Sequence, residues 1–448
     1  MADAAATIAA APPAARVRFA RILALAAPTT LLAATQVVAQ LIEPWLAARQ
    51  GTVALAGWAV VLPFTLLLSQ MSAGAMGGGV VSAIARALGA RQEEAAALAL
   101  HALVIAAGGA LLFIVPLALF PRAVLGLIGG REAAEAAAAY SAWYFGAGAL
   151  SAWMANTLGS ILRGGGRHAL AARGIVGAWI AYPPLAWALM EPLGLGMAGL
   201  GIAFALTMTA AAAVMAVVVF RGGAGFVPSL RTPLRAALFR RILSVGLVAC
   251  AMATIANLAT ILVTARIAHH GAVAVAAYGI SARIEFLMIP IAFGVGSALT
   301  ALVGRAVGAG DWAEARRVAW AGAALALAIT GPIGVLVTLF PTGVARAFTG
   351  DAAVSALAAT ALSVIGPALP FFGVGMALYF AAMGAGRMAW PVMAGLSRVV
   401  LAVGGGWVFS EWLGFGLTGQ FVAVALGITA YGVGCAAAVR PGVWPGRI

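Results

Sequence analysis

Three polar residues stand at helical spacing inside one apolar run: Gln36, Gln40 and Glu43 in ILALAAPTTLLAATQVVAQLIEPWLAARQG, residues 22–51. Offsets of four and seven from Gln36 put them on one face of a helix. A carboxyl group at that depth is costly and marks an ion or substrate path. As its surroundings alternate between wet and dry, such a group alternates between ionised and neutral forms, so a proton and an organic cation can compete for it. Glu285 is the second acid within an apolar run. Arg283, two residues earlier, is off its helical face, whereas Arg398 in a later run is a charge partner by position. Two roles stay open for Glu285: half of a structural ion pair, or a second carboxylate linked to proton or substrate. Tyr144, Trp179 and Tyr182 fall in the same half of the chain as Glu43 and carry rings able to stack on an organic cation.

Composition decides what kind of molecule holds these groups. With 64% hydrophobic and 8% charged residues among 448, polar surface is far too scarce to coat a soluble globule, where charged residues make up about a quarter. The chain reads as an all-α polytopic membrane protein. Its basic residues are all Arg and give a net charge of +14, but they are spread between apolar runs instead of forming a patch, which argues against a nucleic-acid partner. Cys250 and Cys435 lie within apolar runs and suit neither a disulfide framework nor a metal site. No nucleophile and base set, nucleotide fingerprint or cofactor motif is present, so an enzyme is not expected.

At about 20 apolar residues per crossing, spans fall near 22–46, 53–84, 95–120, 134–161, 169–190 and 196–220, then near 242–265, 272–304, 316–340, 353–382, 388–410 and 415–438. Residues 1–21 read as an N-terminal tail, and 439–448 as a C-terminal one. Residues 221–241, with two Pro, several Gly and five Arg, read as the linker between an N-lobe of 22–220 and a C-lobe of 242–438. Twelve spans place Arg49, Arg122, Arg131, Arg266 and Arg346 on one side and leave Arg283 and Arg398 within spans. The other nineteen of the 26 basic residues lie on the side that holds both termini, which makes that side cytoplasmic.

A constant displacement runs through both halves. Arg21, Gly51, Gly74, Gly164, Gly166 and Arg167 recur as Arg241, Gly271, Gly294, Gly384, Gly386 and Arg387, all 220 residues later. Six spans per copy make the two repeats parallel, and parallel repeats enclose a central cavity in transporters. Position 43 is the exception to the likeness, because its counterpart is Val263. The turns LRGGGR (162–167) and MGAGR (383–387) read as glycine caps on helices, since a phosphate-binding loop would need a Lys-Ser/Thr pair after a strand.

Taken in order, Glu43, Gly51, the second span ending in ARALGA (85–90), LRGGGR and then SARIEFLMIPIAFGVGSALTALVGRAVGAGDWAEARR (281–317) resemble the bacterial branch of the multidrug and toxic compound extrusion (MATE) family. The resemblance covers nearly the whole chain. It implies an antiporter in the bacterial inner membrane that exports small cationic or amphipathic drug-like compounds by alternating access. The implied driving ion is H⁺, with Na⁺ second, and no other cofactor is implied. Membrane lipid is the surrounding partner, and a monomer is expected. Glu43 occupies the family's acidic position near the end of the first helix, and Gln36 and Gln40 match polar positions of the N-lobe cavity. Departures occur too. Trp179 and Pro183 stand where many relatives have Asn and Asp on the fifth helix. Asn257 and Phe372 stand near where sodium-coupled members carry acids, so no C-lobe cation site is expected. A flippase for lipid-linked oligosaccharide or a lipid precursor is the alternative with related architecture.

The twelve-span reading makes a prediction about sidedness. Alkaline phosphatase fused after Arg231 or at the C-terminus should be inactive in cells, and fused after His270 active. The reverse pattern would invert the topology.

Overall fold

The computed structural model describes residues 13–229 and 231–444, and among these no β-strand forms. Helix α1 runs Pro13–Arg49, so most of the second half of the expected tail is a continuation of the first span. The second span is α2 (Thr52–Ser69) and α3 (Met76–Gly89), joined through a π-helical stretch at Gln70–Ala75. Helix α4 (Ala95–Ile114) continues as a π turn to Leu119. The fourth segment divides into α5 (Pro121–Phe145) and α6 (Ala147–Gly164) at Gly146. Helices α7 (His168–Met190) and α8 (Gly196–Phe220) complete the first six.

The second copy begins with α9 (Ala236–Ala268), which takes in the end of the expected linker, followed by α10 (Ala272–Gly308) and α11 (Trp312–Leu339). Its tenth span is α12 (Pro341–Phe348), α13 (Ala352–Ile365) and α14 (Leu369–Ala385), and its eleventh is α15 (Ala389–Val400), continued by π turns to Trp412. Helix α16 (Gly416–Ala438) closes the fold. Among the described residues twelve helical segments thus succeed one another, and ten of them are long and apolar enough to cross a membrane. The other two, 121–164 and 168–190, carry several of the chain's charged residues, among them Arg131, Glu132, Glu135 and Arg173.

Backbone geometry repeats along with the sequence. Gly51 and Gly271, 220 apart, cap the second span of each copy at φ 109° and 96°, values open to glycine at little cost. Phe120 and Phe340 share φ near −125° and ψ near 45° before Pro121 and Pro341. Gly166 and Gly386 turn left-handed after a helix, and the next amide closes the loop: Arg167 N–H donates to Leu162 O, and Arg387 N–H to Ala382 O, both at 2.8–2.9 Å. The glycine-rich turns are therefore helix caps.

Contacts group the chain into two compact units, Leu25–Cys250 and the described residues up to Ala24 together with those from Ala251 onward. In the first unit, α7, α6 and α5 pack on α8, and α2 packs on α5. Small residues allow the approach, as apolar lipid supplies no hydrophobic drive between helices. A Cβ at Gly79 of α3 would lie 2.8 Å from both N and Cα of Gly246 on α9. In the second unit, α14 packs on α10, α11 and α16, with Thr300 Oγ1 donating to Phe380 O at 3.0 Å across α10 and α14. Val263, the counterpart of Glu43, sits there in an apolar core with Tyr278, Ile284, Phe372 and Phe421. The C-terminal segment is docked, with Trp444 buried against Trp312 at 5.9 Å between ring centroids.

Gly79→Ala should therefore lower stability by about 1–3 kcal/mol through overpacking against backbone. Gly108→Ala, where an added Cβ meets nothing within 4 Å, is the control and should be neutral. Thermal unfolding in detergent compares the two, and equal melting would refute the close crossing.

Candidate ion and substrate site

Glu43 lies on α1 near its end, and only 2% of the residue is exposed. Both carboxyl oxygens are engaged. Tyr182 Oη on α7 donates to Oε1 at 3.0 Å, and Trp58 Nε1 on α2 donates to Oε2 at 3.1 Å. Burying a carboxyl group without partners costs several kcal/mol or more, and these two bonds are what make the placement tolerable. Arg49, six residues on, does not serve Glu43. It pairs with Glu191 beyond the end of α7, with Nη2 to Oε2 at 2.9 Å, and this hydrogen bond holds the Glu191 carboxyl below its ordinary range.

A narrow, partly open cleft lies in the same unit. Gln36, Gln40, Ser69, Ser72 and Asn156 supply its polar lining, and Leu68, Tyr144, Ala152, Trp179, Phe204 and Met208 its apolar lining. Gln36 Nε2 donates to Ser69 Oγ at 2.6 Å, and Asn156 Nδ2 to Ser72 Oγ at 2.9 Å. Tyr144 stacks flat on Phe204 at 3.8 Å between centroids, and Trp179 lies 6.0 Å from the same ring. Amides and hydroxyls beside aromatic rings are groups able to contact a small amphipathic molecule.

Of the residues singled out in the sequence, Gln36, Gln40, Tyr144 and Trp179 meet at this cleft. Glu43 and Tyr182 do not line it. They form a separate, deeper pair that touches the cleft wall through rings, because Tyr182 sits edge-on to Trp179 at 5.8 Å and to Phe204 at 5.9 Å. The shared helical face of Gln36, Gln40 and Glu43 is real as a spacing, yet Tyr182 and Trp58 claim the acid. Trp58, Ser69, Ser72, Asn156, Phe204 and Met208 were not singled out. Trp58 had one signal, its position 220 residues before Tyr278 in an otherwise aliphatic stretch.

In the second unit Glu285 of α10 is ion-paired with Arg398 of α15, each side chain about a quarter exposed. The Arg398 guanidinium also lies 5.3 Å from the Phe372 ring and 5.9 Å from that of Tyr431. Arg283 is exposed and makes no ion pair among the described residues. Its offset of two from Glu285 turns it to another face of α10.

Twelve helical segments in two matched repeats, with an acid and an amphipathic cleft enclosed in apolar helices, define a polytopic membrane protein of the two-lobe transporter fold. The chain belongs to the MatE family, whose model matches residues 28–187 and 247–408, one block in each repeat. It is 35% identical over 161 residues to a probable multidrug resistance protein NorM of Caulobacter vibrioides, covering 34% of this chain and 33% of that protein. It is 38% identical over 92 residues to a protein of the same description from Xanthomonas campestris pv. campestris, 20% of each. The matches thus span about a third and a fifth of the lengths of those relatives. Two solved structures share the fold. A MOP superfamily transporter from Pyrococcus furiosus has a TM-score of 0.86 at 23% identity, covering 94% of this chain and 96% of that one. The Vibrio cholerae MATE transporter VcmN in its bent form has 0.87 at 20%, covering 96% and 97%.

Removing one member of the C-terminal ion pair should strand the other. Arg398→Met is expected to lower stability by roughly 2–5 kcal/mol, and the double variant with Glu285→Gln to recover most of it. Additive losses in thermal unfolding would show that the two charges do not depend on each other.

Proposed function

We propose that the chain is a secondary antiporter of the bacterial inner membrane that exports small cationic or amphipathic organic compounds in exchange for H⁺ taken up at Glu43. The observation that carries this reading is a carboxyl group buried among apolar helices, held by two side-chain donors, and set behind the aromatic wall of an amphipathic cleft. The cleft supplies the substrate surface: rings for a flat cationic body, and the amides of Gln36 and Gln40 with the Ser69 and Ser72 hydroxyls for polar substituents. Glu43 supplies the exchangeable charge.

The partners of Glu43 favour a proton over Na⁺. A hard cation is bound by several oxygen ligands, whereas Trp58 presents an N–H with no lone pair to offer, and it occupies Oε2. Exchange then follows from charge. A cation in the unit is favoured while Glu43 is ionised and disfavoured once it is protonated. Proton entry from the outer side thereby promotes release of the substrate, and proton loss inside restores affinity.

The test is ethidium transport in proteoliposomes under an imposed pH gradient, with a Na⁺ gradient in parallel. Glu43→Gln should reduce pH-driven transport by roughly 5–150-fold, the range of a single coupling interaction. Retained pH-driven exchange would remove Glu43 from the mechanism. Movement of lipid-linked sugar with no ethidium transport would favour a flippase instead.

A further inference from the structure

We propose that Tyr182 is the positioning residue through which the protonation state of Glu43 reaches the substrate cleft. The inference rests on the H⁺-coupled reading above and adds the route of coupling, since Glu43 does not itself line the cleft. The two donors on Glu43 are chemically unequal. An indole N–H donates only, so Trp58 demands an accepting Oε2 in every state. A phenol both donates and accepts, so Tyr182 alone can adapt.

When Glu43 takes up a proton, placing it on Oε2 would set O–H against the Trp58 N–H. The proton therefore goes to Oε1, which becomes the donor, and the Tyr182 oxygen becomes the acceptor. The hydrogen of Tyr182 must then leave the Oε1 axis, and the phenol must re-seat. Its surroundings convert that change into a change of the cleft. The Tyr182 ring stands edge-on to Trp179 and Phe204, both of which belong to the apolar lining, and Phe204 carries Tyr144 stacked upon it.

The backbone beside Tyr182 is suited to such movement. Pro183 and Pro184 follow directly within α7 and have no N–H, so they leave the carbonyls of Trp179 and Ile180 without their usual helical donors. The turn that carries Trp179 and Tyr182 is thus less tightly held than a regular helix. Tyr140, buried in the same aromatic group with its hydroxyl unpartnered, shows that this part of the unit holds polar capacity that its hydrogen bonds do not use.

The experiment measures ethidium binding to purified protein between pH 6 and 8, for the parent and for Tyr182→Phe, Phe204→Leu and Glu43→Gln. One-for-one exclusion of proton and cation changes apparent affinity by up to about tenfold per pH unit in the parent. Tyr182→Phe keeps the ring and removes the hydroxyl. It should vary over the whole range by at least about threefold less than the parent, the remaining dependence being the direct effect of the Glu43 charge. Phe204→Leu should flatten the same curve while leaving the infrared carboxyl band of Glu43 titrating normally. That band, assigned by its loss in Glu43→Gln, should move to higher frequency in Tyr182→Phe as a hydrogen bond disappears.

A parental slope in both Tyr182→Phe and Phe204→Leu would overturn the relay and leave Glu43 coupling intact, as would an unshifted band. A parental slope in Glu43→Gln would instead defeat the H⁺-coupled reading on which the relay rests. If Tyr182→Phe does not fold, Phe204→Leu alone decides through its slope.

Discussion

The structure of the first unit is organised by the need to keep one carboxyl group among apolar helices. Glu43 is almost fully enclosed, and a buried carboxyl group with unanswered oxygens would cost more than a single helix contact returns. Its two donors come from different helices, Trp58 from α2 and Tyr182 from α7, so three segments of the chain have to meet at one point. The packing that brings them there relies on residues without bulk. A Cβ at Gly57, one residue before Trp58, would already sit 3.0 Å from the Ala137 backbone of α5, and one at Gly201 of α8 would lie 2.6 Å from Tyr140 O. Aromatic rings fill the remaining space and become the wall of the cleft.

The second repeat shows what the scaffold is without that constraint. Val263 replaces Glu43, Tyr278 replaces Trp58 and Ala402 replaces Tyr182, and all three belong to one apolar core. The backbone is nevertheless the same at its defining points, from the glycine caps at 51 and 271 to the turns at 120 and 340. Even a surface feature recurs: Glu94 and Glu314, 220 residues apart, are each ion-paired with an Arg of the same compact unit, Arg241 and Arg18 respectively. The shared frame is therefore independent of the candidate site, whose acid and two donors are present in one copy only.

Those frame elements were legible in the sequence because they are local or periodic. Twenty-residue apolar runs, a fixed displacement of 220 and glycines after helices each have a direct one-dimensional signature. Glu43 and Glu285 were legible for a related reason: charges are so few within the apolar runs that each is conspicuous, and Arg398 is one of the few Arg that fall inside them. Of the partners of Glu43, Tyr182 was marked only as a ring and Trp58 only by its place in the repeat. Trp58 sits in a stretch where a tryptophan reads as an interfacial anchor, and Phe204 in one of uniform hydrophobicity. Which faces of α2, α7 and α8 turn toward α1 depends on tertiary packing, and the 3.6-residue period is silent about that when all sides of a helix are apolar. The separation of Glu43 from the cleft has the same origin, since it depends on a tyrosine of another helix reaching the acid first.

The two intramembrane acids also differ in what their partners permit. Glu285 faces a guanidinium, which holds its proton under any physiological condition. Protonating Glu285 would leave the Arg398 cation with only the faces of Phe372 and Tyr431 for compensation, and a cation–π contact is worth far less than an ion pair in such surroundings. Glu43 faces a phenol and an indole, both neutral, so gaining or losing a proton strands no opposing charge. A change of charge at Glu43 therefore leaves no unpaired ion behind. The proposed proton coupling at Glu43 rests on the neutrality of its neighbours as much as on the acid itself.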